Sequence, residues 1–354
     1  MKMKVGIITF HWAANYGAVL QTYALQKAIE NTGSEAEIID YMPENYARKW
    51  WKVLRSRSVH DAKKKWMEYQ KSRKISRDIA GKLKLSGHYA DANALRNNPP
   101  IYDLYITGSD QIWNEYFTLQ GEGKITLSYF LDFVPKGKRK ISYATSIGTT
   151  QLCEKYWENV LPLLAEYEKI SVREQSAKAV LEEKGIQAVV LPDPTLLIAS
   201  EDYACLFKEM PAKYVYYILQ DNQNSAKILK NYMNDKYARG NSVDLNKVSL
   251  AEWGGYIAGA ECVLTNSYHG IIFSILNHRK FFAVLVEGEL QGMNDRVITL
   301  LERLNLKDRI VKTVEELDIA MKKNIDWEHV DCLLEAYRLE GMNYLKSFSE
   351  VIPR

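Results

Sequence analysis

The sequence has little cysteine, and its cysteines are far apart. Four occur in 354 residues, at Cys153, Cys205, Cys262 and Cys332, and no pair is spaced as CxxC or CxxH. Disulfide frameworks are typical of short, cysteine-dense chains, and structural zinc sites use closely spaced pairs of cysteine or histidine ligands. The pattern argues against both and is typical of a reducing cytosol.

Long apolar runs and cofactor motifs are also missing. No stretch approaches the roughly 20 apolar residues that span a bilayer, and the N-terminus leads into a predicted strand rather than a signal peptide. The first strand lacks GxGxxG, so no dinucleotide cofactor is expected. Without a DxD motif or clustered histidines, nothing requires a metal. We expect a cytoplasmic protein, either soluble or peripheral to the membrane.

Net charge is small but unevenly distributed. The formal charge is +3, whereas residues 48–77 carry twelve Lys/Arg against two acids, so this segment is +10 and the rest is −7. Trp50, Trp51, Trp66 and Tyr69 lie among these cations. Such a segment suits a membrane surface carrying anionic lipid. A helical hairpin with inward tryptophans and a nucleic-acid surface are the alternatives, and we do not expect a nucleic-acid partner.

Strands and helices alternate along most of the chain, beginning with a strand–helix–strand unit at residues 5–40. This alternation predicts parallel sheets covered on both faces. With 47% hydrophobic and 26% charged residues, the chain is globular and long enough for two domains. We expect an α/β fold of two Rossmann-like, doubly wound domains, at 1–165 and 166–320, facing a cleft. A helical segment at 321–354 is expected to pack back on the first domain.

The segment Thr265–Gly270 joins a predicted buried strand to a predicted helix. It brings a hydroxyl, an amide, a phenol and an imidazole to a place where open α/β sheets bind ligands. His269 would lie at a helix N-terminus, which favours an anion. The alternative is that Ser267 only caps the helix and His269 only packs against its neighbours.

Three other predicted strand ends carry polar residues. They are His11 with Asn15–Gly17, Ser109–Gln111, and Arg173 with Glu174. Each taken singly could be an ordinary cap, turn or local ion pair. Together they suggest one functional constellation.

Several collinear motifs make the chain resemble the polysaccharide pyruvyl transferase family, whose members are similar in fold to GT-B glycosyltransferases. The motifs are GIITFHWAANYGAVLQTYALQ, YDLYITGSDQIWN, SYATSIG, ISVREQSAKAVLEEKG, LPDPTLLI, TNSYHGIIFSILN and NDRVITLLERLNLKDR. They cover roughly residues 4–310, and segment 48–77 lies outside the strongest matches.

The resemblance implies transfer of a pyruvyl group from phosphoenolpyruvate to a sugar of a capsule or exopolysaccharide precursor, giving a cyclic ketal. The sugar is expected on an undecaprenyl-diphosphate carrier, phosphoenolpyruvate is a co-substrate, and no other cofactor is implied. The first domain would hold the acceptor and the second the donor. Alternatives are a nucleotide-sugar glycosyltransferase of GT-B type and a non-catalytic glycan-binding protein.

Site roles follow from the resemblance and the chemistry of phosphoenolpyruvate. His269 is the expected acid–base catalyst, and Asp110 is a candidate base that could equally cap a helix. The expected donor ligands are Arg173, Arg296, Asn266, Ser267, Tyr268 and Gly270. The expected acceptor contacts are His11, Asn15, Tyr16, Gly17, Ser109 and Gln111. Ser267 stands where more distant members carry arginine, and Trp113 could stack on a sugar or lie in the core.

Overall fold

The computed structural model describes residues 2–43, 56, 58–116, 126–149, 151–219 and 224–349. The chain forms two compact units. The first unit is Met1–Ile198 with Tyr337–Arg354, and the second unit is Ala199–Ala336.

The first unit begins with alternating strands and helices. Its elements are β1 Lys4–Ile8, α1 Tyr16–Glu30, β2 Glu35–Ile38, α2 Val59–Ile79, α3 Ala92–Asn97, β3 Leu104–Thr107, β4 Arg139–Ser142, α4 Glu154–Leu164, β5 Ser171–Val172, α5 Gln175–Glu183 and β6 Val189–Val190. Strands β2, β1, β3 and β4 form a parallel sheet in that order. Isolated parallel bridges then link β4 and the residues after it to the region of β5.

The second unit repeats the parallel arrangement. Its elements are β7 Tyr214–Tyr217, α6 Asn224–Met233, a π-helical turn Asn234–Ala238, β8 Ser242–Asp244, α7 Leu250–Ala258, β9 Cys262–Thr265, α8 Tyr268–Leu276, β10 Phe281–Ala283, α9 Asp295–Arg303 and α10 Val314–Lys322. The strand order is β10, β9, β7, β8, again all parallel. Helix α11, Trp327–Ser349, begins in this unit and ends in the first. The α/β prediction with parallel sheets is confirmed.

Each sheet has one point where the strand order reverses. In the first unit, the chain leaves β1 for β2 on one side and returns to β3 on the other. In the second unit, it leaves β7 for β8 and returns to β9. Loops diverge at such a point, so the carboxyl ends of the two central strands border a crevice. We therefore expect a ligand site at these strand ends.

The division between the units differs from the predicted boundary after residue 165. Residues 166–198 belong to the first unit because β5 extends its sheet. The Ser142 and Thr145 N–H groups donate to the Lys169 and Ser171 carbonyls, both at 3.2 Å. Segment 321–354 is expected to pack on the first domain, but it is divided: residues 321–336 group with the second unit, and the chain from Tyr337 groups with the first.

Trp113 is a core residue. It has no exposed surface, it stacks on Phe130 with ring centroids 5.5 Å apart, and its indole N–H donates to the Tyr129 carbonyl at 3.1 Å. Both faces and the polar edge of the ring are therefore engaged inside the first unit, which leaves no face for a sugar.

Candidate functional site

The junction between β9 and α8 is a tightly capped strand-to-helix turn. Ser267 Oγ accepts from the Gly270 N–H at 3.3 Å. The Ser267 N–H donates to Thr265 Oγ1 at 2.9 Å, and that hydroxyl donates to the Tyr217 carbonyl at 2.6 Å. Ser267 is thus the N-cap of α8, and the turn is anchored to the neighbouring strand β7.

Gly270 allows the helix to start close to the strand. A Cβ atom at this position would lie 2.7 Å from Thr265 Oγ1, closer than carbon and oxygen can approach without contact strain. The hydrogen bonds of the Gly270 N–H to Ser267 Oγ and of the Ile271 N–H to the Ser267 carbonyl are internal to the cap. The expected donor contact of Gly270 stays a prediction.

Asn266 bridges the reversal point of the second sheet. Its Oδ1 accepts from the Leu219 N–H at 2.7 Å, which joins the end of β7 to the end of β9. The Nδ2 atom of the same side chain is buried, and among the described residues it has no hydrogen-bond partner. An unsatisfied buried amide costs about 1–3 kcal/mol. Among the described residues, the structure thus leaves one buried amide donor unsatisfied at the reversal point of the second sheet.

His269 and Arg296 both contact the Tyr268 ring. His269 is in the first turn of α8, 8% exposed, with its ring edge-on to Tyr268 at 5.4 Å. Arg296, at the start of α9, places its guanidinium 5.4 Å from the centre of the same phenol ring. The helix N-terminus and the guanidinium both attract an anion. An imidazole and a guanidinium thus contact one aromatic ring beside the carboxyl end of β9.

Arg173 is predicted to lie in the second domain, on the donor side, but the structure places it in the first unit. It belongs to the first unit, is 1% exposed, and forms an ion pair with Asp193, with Nη1 2.7 Å from Oδ2. Ser109 lies against both members of the pair, 3.4 Å from Nη1 and 3.3 Å from Oδ2. Breaking such a buried pair costs about 3–5 kcal/mol. Loss of either partner would therefore destabilise the first unit, and a role of Arg173 or Ser109 in substrate binding stays a prediction.

Glu174, beside Arg173, organises the turn after β4. Its Oε1 accepts from Ser146 Oγ at 2.7 Å and from the N–H groups of Ile147 and Gly148 at 3.0 and 3.2 Å. One carboxylate oxygen thus satisfies three donors of a buried loop.

Asp110 follows β3 in a backbone conformation that side chains rarely adopt, with φ of 81°. Non-glycine residues in this left-handed region are uncommon and often mark functional turns. Its Oδ1 accepts from the Gln111 N–H at 2.8 Å, and its carbonyl accepts from the Ser146 N–H at 2.9 Å. The carboxylate lies at the reversal point of the first sheet, and its role as a base is not tested by this geometry.

Several of the predicted acceptor contacts are capping or buried residues, and one of them lines a cavity. Asn15 caps α1 by accepting from the Gly17 N–H at 2.9 Å, and Tyr16, Gly17 and Gln111 are buried. His11 lines a cavity of about 580 Å³ in the first unit, which we call the α2 pocket. The residues around it are His11, Trp12, Asp40, Met42, Tyr69, Ser72, Arg73, Ser76, Ile79, Ala80, Gly81, Leu83, Leu85 and His88.

Asp40 connects two histidines in the α2 pocket. Its Oδ1 is 2.9 Å from His11 Nε2, and its Oδ2 is 3.1 Å from His88 Nδ1. Burial alone would raise the pKa of Asp40, but hydrogen bonds and charge from His11 and His88 hold that pKa below its ordinary value. Sequence reasoning missed Asp40 and His88. Asp40 could have been found, because it follows β2 and neighbouring parallel strands bring their carboxyl ends together.

The described part of the chain shows no candidate metal cluster and no candidate membrane-spanning helix. No group of three or more His, Cys, Asp or Glu side chains there is arranged so that it could hold a metal ion. None of its helices is long and apolar enough to cross a membrane. Trp50 and Trp51 of the basic segment lie outside the described residues, whereas Trp66 on α2 is 46% exposed.

Solved structures with a similar course of the chain share little sequence with it. The UDP-N-acetylglucosamine 2-epimerase of Rickettsia bellii is 10% identical, with 99% of each chain covered and a TM-score of 0.48. The glycosyltransferase SsfS6 of Streptomyces sp. SF2575 is 11% identical, with 98% of this chain and 100% of that chain covered and a TM-score of 0.42. No curated protein matches the chain significantly.

A family model gives the assignment. The model for polysaccharide pyruvyl transferase matches residues 15–287, which include the α1 cap, Asp110, the Arg173–Asp193 pair and the β9–α8 junction. His11 and Arg296 fall outside the matched range. The match covers well over half of the 354 residues, so the chain belongs to the polysaccharide pyruvyl transferase family.

Proposed function

We propose that the protein transfers the pyruvyl group of phosphoenolpyruvate to a sugar of a surface-polysaccharide precursor and forms a cyclic ketal. The observation that carries the proposal is the group of side chains at the N-terminus of α8, where an imidazole, a guanidinium and a buried amide N–H adjoin a helix N-terminus. Phosphoenolpyruvate carries a phosphate and a carboxylate, and these groups match that set of donors and cations.

The donor is held by charge and by directed hydrogen bonds. Arg296 can bind a phosphate or carboxylate through two parallel N–H groups. Asn266 Nδ2 donates a further hydrogen bond from a fixed position, because its Oδ1 is held by the Leu219 N–H. The first-turn N–H groups of α8 add the positive end of the helix dipole.

The chemistry needs one proton donor and an acceptor for hydroxyl protons. His269 gives a proton to the methylene carbon of the enol, which becomes the methyl group, and positive charge develops at the carbon that bears the phosphate. One sugar hydroxyl adds to that carbon, the carbon–oxygen bond to phosphate breaks, and the second hydroxyl takes its place. Of the two hydroxyl protons released, one restores His269 and the other leaves with inorganic phosphate.

The first unit is the proposed acceptor side, with Asp110 and the α2 pocket at the ends of its strands. The acceptor is proposed to be an undecaprenyl-diphosphate-linked sugar reached at the cytoplasmic face of the membrane. The exposed Trp66 and the basic outer face of α2 support this proposal, since aromatic and cationic side chains favour an anionic membrane surface.

The reaction is tested by incubation with phosphoenolpyruvate and lipid-diphosphate-linked sugars. The expected result is release of inorganic phosphate together with one pyruvyl unit gained by the glycan, detected by mass spectrometry. Binding is tested separately by calorimetry, where Arg296→Gln should weaken phosphoenolpyruvate binding about tenfold or more because a charged hydrogen-bond donor is lost.

A matched variant in the same helix controls the binding measurement. Arg303 is the last residue of α9 and is exposed, so Arg303→Gln should leave phosphoenolpyruvate affinity unchanged. A nucleotide-sugar glycosyltransferase would instead bind a uridine diphosphate sugar in the same titration. Binding of that sugar nucleotide, with none of phosphoenolpyruvate, would refute the proposal.

A further inference from the structure

The α2 pocket contains a pair of side chains, a carboxylate and an imidazole, that are arranged for proton transfer. Asp40, which follows β2, has its Oδ2 3.1 Å from Nδ1 of His88. Both residues line the cavity of about 580 Å³, and this volume lies within the range of small-molecule sites, roughly 300–1,000 Å³. A carboxylate that holds one nitrogen of a histidine orients the ring and leaves the other nitrogen for a substrate. We call Asp40 and His88 the dyad.

The hydrogen bond within the dyad determines which nitrogen of His88 is free. The pKa of Asp40 lies below its ordinary value, so this carboxylate is ionised at neutral pH and can only accept hydrogen bonds. Nδ1 therefore carries the hydrogen, and in the neutral ring Nε2 keeps its lone pair. Within the described part of the chain Nε2 has no hydrogen-bond partner, and 49% of the side chain is exposed. Nε2 is thus available as a base.

His11 supports the dyad rather than competing with it. The residue is 8% exposed, with Nδ1 3.3 Å from the Thr9 carbonyl and Nε2 2.9 Å from Oδ1 of Asp40. Both ring nitrogens are engaged inside the fold, so neither is left for a ligand. Because His11 contacts one carboxylate oxygen and His88 contacts the other, His11 helps to fix the plane of the carboxylate that orients His88.

The backbone also holds the two members of the dyad together. The Asp40 N–H donates to Ser86 Oγ at 3.0 Å, and the Asp40 carbonyl accepts from the Tyr89 N–H at 2.8 Å. A parallel bridge between Tyr41 and Tyr89 continues this pairing. The segment that carries His88 is therefore bonded to the end of β2 on both sides of the histidine. Proton transfer benefits from such support, since its geometry is set before a ligand binds.

Asp110, the candidate base from the sequence, already uses one of its oxygens. Its Oδ1 accepts from the Gln111 N–H at 2.8 Å, which is a contact within its own turn. An imidazole is also better matched than a carboxylate to proton exchange near neutral pH. His88 is therefore the better candidate for a base on the proposed acceptor side.

We infer that His88 is the general base of the α2 pocket and acts through Nε2 on a hydroxyl group of the bound ligand. Resting on the proposed function, this hydroxyl belongs to the acceptor sugar. Nε2 takes the proton as the O–H bond breaks, and the oxygen uses the electron pair left behind to form its bond to the pyruvyl carbon. Asp40 stabilises the imidazolium, which then returns the proton through water to the departing inorganic phosphate.

The tautomer of His88 is measured in long-range ¹H–¹⁵N correlation spectra of histidine-labelled protein, at a pH where the ring is neutral. The chain has six histidines, and the signals that are missing in His88→Gln identify His88. We expect hydrogen on Nδ1 and a bare Nε2 in the wild-type protein, and loss of this preference in Asp40→Asn. A wild-type ring with its hydrogen on Nε2 would overturn the inference. His88 is half exposed, so its replacement is expected to leave the protein folded.

Turnover with phosphoenolpyruvate and a lipid-diphosphate-linked sugar tests the base role directly. In His88→Gln, kcat should fall about 10²–10⁴-fold because glutamine cannot take a proton, while KM for both substrates changes little. Asp40→Asn should lower kcat as well, because an amide that donates to Nδ1 leaves the hydrogen on Nε2. A higher acceptor KM with kcat unchanged would show a binding role only, and this would overturn the inference.

His60→Gln is the matched control. His60 also lies in the first unit, on α2, is exposed, and is not among the residues that line the pocket. Its kcat should stay within twofold of the wild-type value. Equal kcat in His88→Gln and His60→Gln would contradict a base role of His88.

The inference and the proposed function fail in different experiments. If a glycan gains its pyruvyl unit normally in His88→Gln, the inference fails and the proposed function stands. If no sugar gains a pyruvyl unit, the proposed function fails, and the assignment of the hydroxyl to an acceptor sugar fails with it. Labelling by diethyl pyrocarbonate, which acylates an imidazole nitrogen that has a lone pair, then decides whether His88 is a base. His88 should react severalfold faster in the wild-type protein than in Asp40→Asn, with His60 as the internal reference, and equal rates would overturn the inference.

Discussion

At the scale of single residues, the β9–α8 junction combines a helix cap with buried polar side chains that the cap does not use. Ser267 satisfies the helix cap by itself, so the neighbouring Asn266 and His269 are not needed for capping. Arg296, from another helix, supplies the guanidinium that the cap position lacks in this chain. A serine at the cap position is therefore compatible with the cationic group that the proposed phosphoenolpyruvate binding requires.

His269→Gln tests the acid–base role at this scale. Glutamine keeps hydrogen-bonding capacity but cannot transfer a proton, so turnover should fall about 10²–10⁴-fold while phosphoenolpyruvate affinity changes little. The residual activity should also lose the pH dependence that His269 contributes. The measurement is phosphate release across pH 5.5–9. An unchanged pH profile in an active variant would contradict the assignment.

Part of this site could be predicted from the sequence, because its residues are consecutive. The run Asn266–Gly270 follows an apolar strand and precedes an apolar helix, and cap chemistry fixes where the helix starts. The α2 pocket could not be predicted in the same way. His11, Asp40 and His88 are 29 and 48 residues apart in sequence, and only the pairing of β1 with β2 and the return of the chain after α2 bring them together.

At the scale of elements, the carboxylate of Asp318 links α10 to α6 and to the π-helical turn that follows α6. Asp318 Oδ2 accepts from Tyr232 Oη and Lys236 Nζ, and its Oδ1 accepts from Tyr237 Oη, all at 2.6 Å. The hydrogen bond from Lys236 is the main cause of a pKa well below the ordinary value for Asp318, with those from the two tyrosines next.

Asp318→Asn should therefore destabilise the second unit in a pH-dependent way. Since the folded pKa lies below the ordinary value of 3.8, the carboxylate contributes its full stabilisation above that value and loses it as the pH falls further. We expect about 1 kcal/mol of lost stability at pH 7 for these partly exposed contacts, with the difference from wild type shrinking below about pH 4.

Urea unfolding at pH 7 and at pH 3 measures this difference. Glu315→Gln, an exposed acid in the first turn of the same helix, is the control and should cost no more than about 0.5 kcal/mol. A deficit in Asp318→Asn that is the same at both pH values would show that the loss is not electrostatic.

The elements themselves could mostly be predicted, but their grouping could not. Alternating apolar runs mark the longer strands, since parallel strands buried on both faces are apolar throughout. Strands β5 and β6 are only two residues long, too short for any periodicity. They belong to the first unit because of bridges to β4 and the Arg173–Asp193 pair. These are tertiary contacts, and local sequence does not indicate them.

At the scale of the whole molecule, α11 completes the first unit with residues from the far end of the chain. Tyr337, Tyr344, Leu345 and Phe348 are buried. Tyr344 Oη donates to the Ser142 carbonyl at 2.9 Å, and Arg338 Nε donates to the Leu196 carbonyl at 2.8 Å. Residues 337–348 therefore cover part of the core of the first unit.

A chain that ends at Ala336 should consequently lose the first unit. Burial of each large apolar side chain is worth about 1.5–3 kcal/mol, and four such losses approach the whole stability of a typical domain, about 5–15 kcal/mol. Limited proteolysis with mass spectrometry should show cleavage within residues 1–198 and protection of 199–336.

The full-length Tyr344→Phe variant is the control for truncation. It removes one buried hydroxyl and should cost about 1 kcal/mol while the first unit stays resistant to protease. Equal protection of both units in the truncated chain would contradict the closing role of α11.

The hydrogen bond between Asn266 and Leu219 also makes the proposed phosphoenolpyruvate site observable by spectroscopy. The Leu219 N–H can donate only to the oxygen of the Asn266 amide, so the orientation of this buried side chain is fixed. Its NH₂ group should give a resolved, slowly exchanging pair of signals in a ¹H–¹⁵N spectrum. When an oxyanion accepts from Nδ2, one signal of that pair should move downfield, and a single side chain would then report donor binding before any acceptor sugar is known.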